Sequence, residues 1–500
     1  MLPTPRPDLI ANTLAYETTP LIKETGFREY DARWLLGSEI SLLGVQALGL
    51  GLGTYIHQLG HRRIVVGHDY RAYSLSVKQA LTLGLVGAGC EVLDIGLALS
   101  PTAYFAQFDL EAPCVAMVTA SHNENGWTGV KMGVGPPLTF GPDEIGRLKE
   151  IVLSGASEER SGGRVTHVEG MAERYIADAA ARCALTRPLK VICACGNGTA
   201  SAFAPDALRR MGVSEVIEMD CELDWTFPRY NPNPEDHVML DAMAKRVLET
   251  GADLALGFDG DGDRCGVVDD QGDEIFADKI GLMLARDLAP AHKGATFVVD
   301  VKSTGLFATD PVLAANDCTT VYWKTGHSYI KRKTAELGAL AGFEKSGHFF
   351  FNPPLGRGYD CGLTSAAIVL AMLDRNPGKT ISELKNALPV AWTSLTMSPH
   401  CDDELKYAAV DKIVKEYEAL GAAKGKILGR AITDVITVNG VRVALEDGSW
   451  LLVRASSNKP EMVVVVESTQ SDADMRALFR EEVKPRLAKH PEIGAYNQEI

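Results

Sequence analysis

The stretch from 252 to 268 reads ADLALGFDGDGDRCGVV, and its centre, DGDGDR at 259–264, places three carboxylates at alternate positions. The apolar runs on either side predict two buried strands joined by a tight acidic loop. Like charges this close repel one another and require a cation, and oxygen ligands favour Mg²⁺ or Ca²⁺ over Zn²⁺. Glycine spacers let the backbone fold round the ion. The stretch therefore predicts a metal loop at a strand end.

Two other interpretations of this loop are weaker. An EF-hand calcium loop also begins with alternating carboxylates, but here Arg264 replaces the required glycine and Asp270 stands where Glu is usual. The flanks also look like strands rather than helices. An acidic, solvated turn is the simplest alternative, and buried flanking strands disfavour it.

Composition indicates an ordinary globular protein. The chain has 500 residues, which suggests three or four domains, with 46% hydrophobic and 23% charged residues. A net charge of −15 argues against nucleic-acid binding, so a bound phosphate needs a local cationic site. We find no run of 18 apolar residues and no signal-peptide core, and we therefore expect a cytoplasmic protein that does not enter a membrane.

The ten cysteines are dispersed along the chain. Cys193 and Cys195 form the only close pair, and neither a second pair nor a nearby His completes a zinc site in the sequence. We therefore expect reduced, mostly buried thiols.

Apolar strand patterns alternate with amphipathic helices over most of the chain, which predicts α/β units in series. From about residue 391 the pattern becomes richer in strands, and a separate α+β domain is the simplest account. The predicted strands include 63–67, 114–118, 191–195 and 296–301, and the predicted helices include 74–87, 202–211 and 240–250.

Three further polar motifs are candidates for the site, and the first and third of them follow predicted strands. The first is TASHN at 119–123, with Lys131 ten residues after Ser121, and it offers a hydroxyl nucleophile beside a cation. The second is FEKSGH at 343–348, preceded by KTGHS at 324–328, whose side chains suit sugar hydroxyls. The third is RASSNKP at 454–460, a suitable cradle for phosphate. Each motif alone is also consistent with a polar turn.

Taken in order, these four motifs resemble the α-D-phosphohexomutase family, in its phosphoglucomutase/phosphomannomutase branch. The resemblance extends from about Gly26 to Ser468. It includes FREYDAR at 27–33, CGNG at 195–198 and VKST at 301–304.

The resemblance implies three related α/β domains and a C-terminal α+β lid domain round a central cleft. The expected ranges are 1–165 with the phosphoserine loop, 166–273 with the metal loop, 274–390 with the sugar loop, and 391–500 with the phosphate loop.

It also implies the residues of the site. Ser121 would carry a phosphoryl group, and Mg²⁺ would bind the phosphoserine and the carboxylates of Asp259, Asp261 and Asp263. Further catalytic residues would be Lys131, Arg264 and His327. The substrate-binding residues would be Tyr30, Arg33, Lys302, Thr325, Gly326, Glu344, Ser346 and His348. The residues that bind the non-reacting phosphate would be Arg454, Ser456, Ser457 and Asn458.

The activity implied is interconversion of hexose 1-phosphate and hexose 6-phosphate, for glucose, mannose or both. Glucose 1,6-bisphosphate, or its mannose equivalent, would be the intermediate and activator. The resemblance implies a sugar phosphate as the partner, and we expect a monomer or weak dimer. Alternatives are a phosphoglucosamine mutase, a metal-dependent sugar phosphatase and a calcium-stabilised binding protein. The haloacid-dehalogenase type of phosphatase is disfavoured because Asp263 stands where its motif requires Thr or Val.

The chain departs from the family pattern in several places. Glu124 and Asn125 replace a usual Pro pair, Phe343 replaces a common Gly, and His68 replaces an Arg before Asp69. None of these changes removes a functional group on which the implied chemistry depends.

Overall fold

The computed structural model of the chain describes Thr13, residues 20–456 and residues 460–500. It divides into two compact units. Of the described residues, the first unit comprises those up to Phe276 together with Ser346–Ser382, and the second comprises those of Ala277–Lys345 and Glu383–Ile500. The four predicted domain ranges are finer than this division and stay a prediction.

The first unit begins with a mixed sheet of six strands. Its central strands are parallel and rich in buried β-branched residues, whereas two antiparallel strands complete one edge. In spatial order the strands are Ala32–Leu35, Trp127–Val134, Cys114–Val118, Arg63–His68, Glu91–Leu97 and Arg164–His167. The accompanying helices are Glu24–Gly26 (3-10), Leu42–Gln58, Ser74–Gly87, Ser100–Asp109 and Pro142–Ser154. The predicted strand at 114–118 and the predicted helix at 74–87 are confirmed with these bounds.

A second sheet of the first unit carries the acidic loop. Its strands in spatial order are Glu274–Ile275, Cys265–Asp269, Leu254–Phe258, Lys190–Ala194 and Glu215–Met219. The remaining elements of the unit are the helices Met171–Ala180, Thr199–Ala202 (3-10), Ala204–Arg210, His237–Thr250 and Gly362–Arg375, and the strand Phe349–Phe351. Asp236 caps the helix His237–Thr250 by accepting from the Val238 amide, and Gly251 ends it with φ 63°. The acidic loop thus joins two antiparallel strands, as predicted.

The second unit begins with three parallel strands, Thr319–Trp323, Thr296–Asp300 and Ala341–Phe343. Its helices in this part are Ala277–Leu288, Ala289–Ala291 (3-10), Leu306–Thr309, Pro311–Ala315 and His327–Glu336. A further helix, Ile381–Asn386, begins in the last two residues of the first unit and continues into the second. Parallel pairing with helical connections confirms the α/β pattern predicted for this part.

The C-terminal part of the second unit is an antiparallel sheet of six strands. In spatial order they are Trp392–Thr393, Met462–Ser468, Trp450–Ala455, Val441–Leu445, Arg430–Ile436 and Lys426–Ile427. The helices are Lys406–Ala422, Asp472–Ala477, Leu478–Val483 (π) and Lys484–Leu487. This is the α+β part expected after residue 391. Among the described helices of the chain, none is both long and apolar enough to cross a membrane.

A buried arginine joins the two sheets of the second unit. Arg442 Nη1 donates to the carbonyl oxygens of Val301 at 2.5 Å and Ser303 at 2.8 Å. Its guanidinium lies 3.7 Å from the centroid of the Trp450 ring and 4.1 Å from that of Tyr322. Such a planar cation between two aromatic rings combines hydrogen bonding with cation–π attraction.

We expect Arg442→Leu to lower the free energy of unfolding by about 3 kcal/mol, because two buried carbonyl groups lose their donor. Equilibrium denaturation in urea measures this. Arg476 in the same unit forms an exposed ion pair with Asp472, so Arg476→Leu is the matched control, with an expected effect within about 0.5 kcal/mol. Equal effects of the two substitutions would contradict the role given to Arg442.

Candidate active site

Ser121 lies on a strained turn at the end of the strand Cys114–Val118. Its φ is 53°, in the left-handed region that non-glycine residues rarely adopt, and its side chain is buried. The Ser121 amide donates to Thr119 Oγ1 at 2.8 Å. A strained residue held in this way is typical of a functional turn, as the motif at 119–123 predicts.

An ion pair that the sequence interpretation did not identify supports this turn. Arg71 is buried, pairs with Asp69, and donates to the carbonyl oxygens of Ser121 at 2.9 Å and Asn123 at 2.7 Å. Asp69 also accepts from Thr119 Oγ1 at 2.9 Å. In the sequence, an Asp-x-Arg pattern directly after a strand could have indicated this pair. The pair fixes the backbone of the turn through the hydrogen bonds to Ser121, Asn123 and Thr119.

The acidic loop touches the Ser121 turn through Gly260. A Cβ atom at this position would lie 2.5 Å from the carbonyl oxygen of Ser121, so only glycine permits the approach. As a result, Ser121 Oγ lies 3.3 Å from Asp259 Oδ2 and donates to it. The structure therefore brings together the predicted nucleophile and the predicted metal loop.

Lys131 is the cation closest to the carboxylates. It comes from the strand beside that of Ser121 and is buried, with Nζ 2.7 Å from Asp261 Oδ2 and in contact with Asp263. Ser100 Oγ donates to the same Asp261 oxygen at 2.6 Å. Three carboxylates and one ammonium are thus enclosed together.

Burial and repulsion leave one of these carboxylates poorly stabilised. Burial, together with the charges of Asp263 and Asp261, raises the pKa of Asp259 well above its ordinary value. Burial would also raise the pKa of Asp261, but the charge and hydrogen bond of Lys131 lower it well below the ordinary range. The same ion pairs outweigh burial at Lys131 and raise its pKa, so Lys131 remains an ammonium group.

The loop suits a hard divalent cation. One oxygen from each of Asp259, Asp261 and Asp263 lies within 4.8 Å of the others, and all three residues are fully buried. Asp261 Oδ1 and Asp263 Oδ1 have no hydrogen-bond partner among the described residues. Buried carboxylate oxygens without donors fit Mg²⁺, which binds oxygen ligands and offsets their charge.

Arg264 is held by His348, with which it forms a β-bridge. Its Nε donates to His348 Nε2 at 3.0 Å, and its Nη1 donates to Glu235 at 2.6 Å. His348 Nδ1 lies 3.0 Å from Asp360 Oδ2. Since Nε2 accepts, the imidazole is neutral with its proton on Nδ1, and it orients the guanidinium rather than pairing with it.

One of the other predicted residues of the first unit, Arg33, also lies near Ser121. Arg33 donates to the Ala120 carbonyl oxygen at 2.9 Å and to Asn123 Oδ1 at 3.1 Å. Tyr30 is half-buried and precedes the strand of Arg33, and Ser346 is half-buried in the segment before His348. His122 Nδ1 lies 3.3 Å from Ser121 Oγ, and the charge of Arg264, with burial and Arg33, lowers the pKa of His122 well below its ordinary value.

In the second unit, one carboxylate contacts both of the motifs predicted to bind the sugar. Asp300 accepts from Thr325 Oγ1 at 3.0 Å and from the Lys345 amide at 3.2 Å, a role that the sequence interpretation did not identify. Glu344 is buried and accepts from the Gly326 amide at 3.1 Å. Other predicted residues of the unit are His327, which begins the helix His327–Glu336, and half-buried Lys302, which follows the strand Thr296–Asp300.

The predicted phosphate-binding motif is described only in part. Arg454 and Ser456 are buried at the end of the strand Trp450–Ala455, and Arg454 Nη1 donates to the Ala455 carbonyl at 2.9 Å. Ser457 and Asn458 lie outside the described residues, and their predicted role stays a prediction.

Comparison with known proteins gives matches along most of the chain. Models of the phosphoglucomutase/phosphomannomutase alpha/beta/alpha domains I, II and III match residues 24–159, 169–272 and 276–391. The model of the C-terminal domain matches residues 401–484. The predicted class of three related α/β domains and a C-terminal domain is thereby confirmed.

Individual relatives agree with these matches. A phosphomannomutase/phosphoglucomutase of Pseudomonas putida is 32% identical over 469 residues, covering 93% of this chain and 96% of the relative. A phosphoglucomutase of Neisseria meningitidis serogroup A is 29% identical and covers 93% of this chain and 97% of the relative. The crystal structure of a family protein from Burkholderia thailandensis has a TM-score of 0.85 and 29% identity, covering 95% of this chain and 99% of that one.

The raised pKa of Asp259 leads to a pH-dependent affinity for Mg²⁺. The cation requires the carboxylate form, so we expect affinity to rise as the pH rises above the ordinary titration range of an Asp carboxyl, by up to about tenfold per pH unit, with release of a proton. Calorimetric titration in buffers of different ionisation enthalpy measures both effects. Asp259→Asn should bind more weakly, with little pH dependence, and a wild-type affinity that is constant over this range would contradict the assignment.

Proposed function

The chain belongs to the phosphoglucomutase/phosphomannomutase family, and from this we propose that it interconverts hexose 1-phosphates and 6-phosphates through a phosphorylated Ser121. The observation that carries the proposal is the 3.3 Å contact between Ser121 Oγ and Asp259, inside a buried cluster that also holds Lys131. A serine hydroxyl beside a divalent-cation site and an ammonium suits phosphoryl transfer.

In the proposed first step, a hydroxyl oxygen of the hexose phosphate attacks the phosphorus on Ser121. The new O–P bond forms as the bond from phosphorus to Ser121 Oγ breaks, which gives a hexose 1,6-bisphosphate and the free serine. The hydroxyl proton passes to a base, and an equivalent proton returns to Ser121 Oγ. In the second step the other phosphoryl group transfers back to Ser121, so phosphate is conserved over the cycle.

Asp259, Asp261 and Asp263 would hold Mg²⁺, which when bound neutralises charge on the transferring phosphoryl group. Lys131 supplies a second positive charge, because its raised pKa keeps it protonated. This favours an electrostatic role for Lys131 rather than that of a general base.

Arg264 would stabilise phosphoryl oxygens, and His348 would act as its positioning residue through the Nε–Nε2 hydrogen bond. Among the predicted residues for proton transfer, His327 then has the most suitable chemistry, since an imidazole exchanges protons near neutral pH. Tyr30, Arg33 and Lys302 are proposed to position the substrate. Arg71 and Arg33 hold the Ser121 turn in place, which lowers the entropy cost of ordering the site when substrate binds.

We assign sugar recognition to Glu344 and Ser346, together with Thr325 and Gly326 of the preceding motif at 324–328. The buried Glu344 carboxylate suits acceptance from vicinal sugar hydroxyls, and Arg454 and Ser456, with Ser457 and Asn458, are proposed to bind the phosphate that does not react. We infer that glucose and mannose phosphates are both substrates. The relative from Pseudomonas putida, which is named for both activities, supports this.

We further propose that the C-terminal domain acts as a lid and that the chain works in the cytoplasm as a monomer or weak dimer. The ten cysteines are free thiols, eight of them buried, which supports a reducing compartment.

The phosphoserine is tested by intact mass. We expect purified protein to carry one phosphate on Ser121, and Ser121→Ala to lack it and to lose turnover by roughly 10³-fold or more, while binding of hexose phosphate persists. The exposed Ser154, in the same unit, provides the control Ser154→Ala, with unchanged mass shift and rate. Retained turnover in Ser121→Ala would contradict the mechanism.

Substrate choice is tested with a coupled assay on glucose, mannose and glucosamine 1-phosphates. We expect the first two to be converted at comparable kcat/KM and the amino sugar at less than roughly a tenth of that value. One polar contact between the protein and the sugar that the amino sugar cannot make costs about 1–3 kcal/mol, and about 1.4 kcal/mol already corresponds to a factor of ten. Equal or better turnover of the amino sugar would favour a phosphoglucosamine mutase. Release of free phosphate at the rate of isomerisation would favour a phosphatase instead.

A further inference from the structure

Three thiols meet at the carboxyl ends of two neighbouring strands in the first unit. Cys193 and Cys195 lie at the end of the strand Lys190–Ala194, and Cys221 follows the parallel strand Glu215–Met219, in which Met219 pairs with Ala194. The spacing of Cys193 and Cys195 alone predicts no further ligand. Parallel pairing of the two strands nevertheless brings a third cysteine beside this pair from a distant part of the sequence.

The distances between these thiols fit a shared metal ion better than a disulfide. Cys193 Sγ lies 3.8 Å from Cys195 Sγ, and all three sulfur atoms lie within 4.8 Å of one another. Two thiolates on one tetrahedral Zn²⁺ are about 3.8 Å apart, given Zn–S bonds of about 2.3 Å. A disulfide requires about 2.05 Å between its sulfur atoms.

The surroundings provide both enclosure and access. Cys193 and Cys195 are fully buried, whereas Cys221 is only partly buried, which leaves an approach for an ion and for a fourth ligand from solvent. Cys221 Sγ donates to the carbonyl oxygens of Cys193 at 3.1 Å and Met219 at 3.4 Å, and these contacts hold it beside the other two thiols. Burial raises the pKa of the other two thiols, and a bound metal displaces their protons.

We propose that Cys193, Cys195 and Cys221 form a binding site for one thiophilic divalent cation, with Zn²⁺ as the physiological ion. Three thiolates with Zn²⁺ carry a net charge of −1, whereas Cu⁺ would leave −2 in a mostly buried position, and that favours the divalent ion. The thiolate ligands differ in kind from the carboxylates at 259–263. We therefore expect hard Mg²⁺ to bind the carboxylates and the softer cation to bind the thiolates.

Binding here would fix a segment that also reaches the Ser121 turn. The Asn197 amide donates to the Asp220 carbonyl at 2.7 Å, and Asn197 Nδ2 donates to the Glu222 carbonyl at 2.8 Å. Further along, Asn231 contacts the carbonyl oxygen of His122. A cation on Cys221 would therefore stabilise the chain between these contacts, independently of the proposed mutase chemistry.

The test uses the full-length, reduced protein with Mg²⁺ in excess to occupy the carboxylates. Titration with Cd²⁺, followed through the ultraviolet thiolate-to-metal charge-transfer band, should reach one equivalent. Zn²⁺ content after gel filtration, measured by mass spectrometry, should also be one per chain. A wild-type protein without the thiolate band, or without retained Zn²⁺, would overturn the proposal.

Two comparisons assign the ligands. Cys221→Ser should lose the retained Zn²⁺, whereas Cys318→Ser, which changes another partly buried thiol, in the second unit, should keep it. Should Cys221→Ser misfold, alkylation of the wild type followed by peptide mapping gives the same information, since Zn²⁺ should protect Cys221 and leave Cys318 reactive. Unchanged Zn²⁺ in folded Cys221→Ser, or equal reactivity with and without Zn²⁺, would overturn the assignment.

Discussion

The proposed active site depends on enclosing three carboxylates within five residues of chain, away from water. Burial of Asp259, Asp261 and Asp263 is unfavourable unless positive charge lies close by. Lys131 supplies part of that charge from a different sheet, through a contact of 2.7 Å with Asp261. The two sheets of the first unit are therefore held in one arrangement by electrostatics as well as by packing. A divalent cation would neutralise the negative charge that Lys131 leaves.

The Ser121 turn and Arg264 are each held by groups that need not touch the substrate. Asp69 and Arg71 fix the Ser121 turn, while Asp360 orients His348, which in turn orients Arg264. Because these supports are buried, the donors they position have little freedom left to lose when a charged ligand arrives. Preorganisation of this kind reduces the reorganisation that phosphoryl transfer would otherwise require.

Local patterns in the sequence predict most elements of the fold and the four motifs. The strand at 114–118 has the predicted bounds because a continuous apolar run is buried at every position, and the helix at 74–87 has them because its apolar periodicity agrees with its burial. The supporting roles of Arg71 and Asp300 were not predicted, since each depends on a contact over 25 to 52 positions of sequence. The third thiol, Cys221, was missed for the same reason. A periodic pattern reports which face is buried, and it carries no information on which strands become neighbours.

The contact of Gly260 with the Ser121 carbonyl has a consequence for the symmetry of catalysis. With the turn and the acidic loop locked together, the protein would, in the proposed cycle, present one fixed set of charges to whichever end of a hexose bisphosphate faces it. The primary alcohol oxygen and the anomeric oxygen would then react in the same arrangement of charges, although they differ in acidity and in the groups that surround them. In that cycle the site would be a compromise between two reactions, and a change that favoured one end of the sugar would slow the return step at the other.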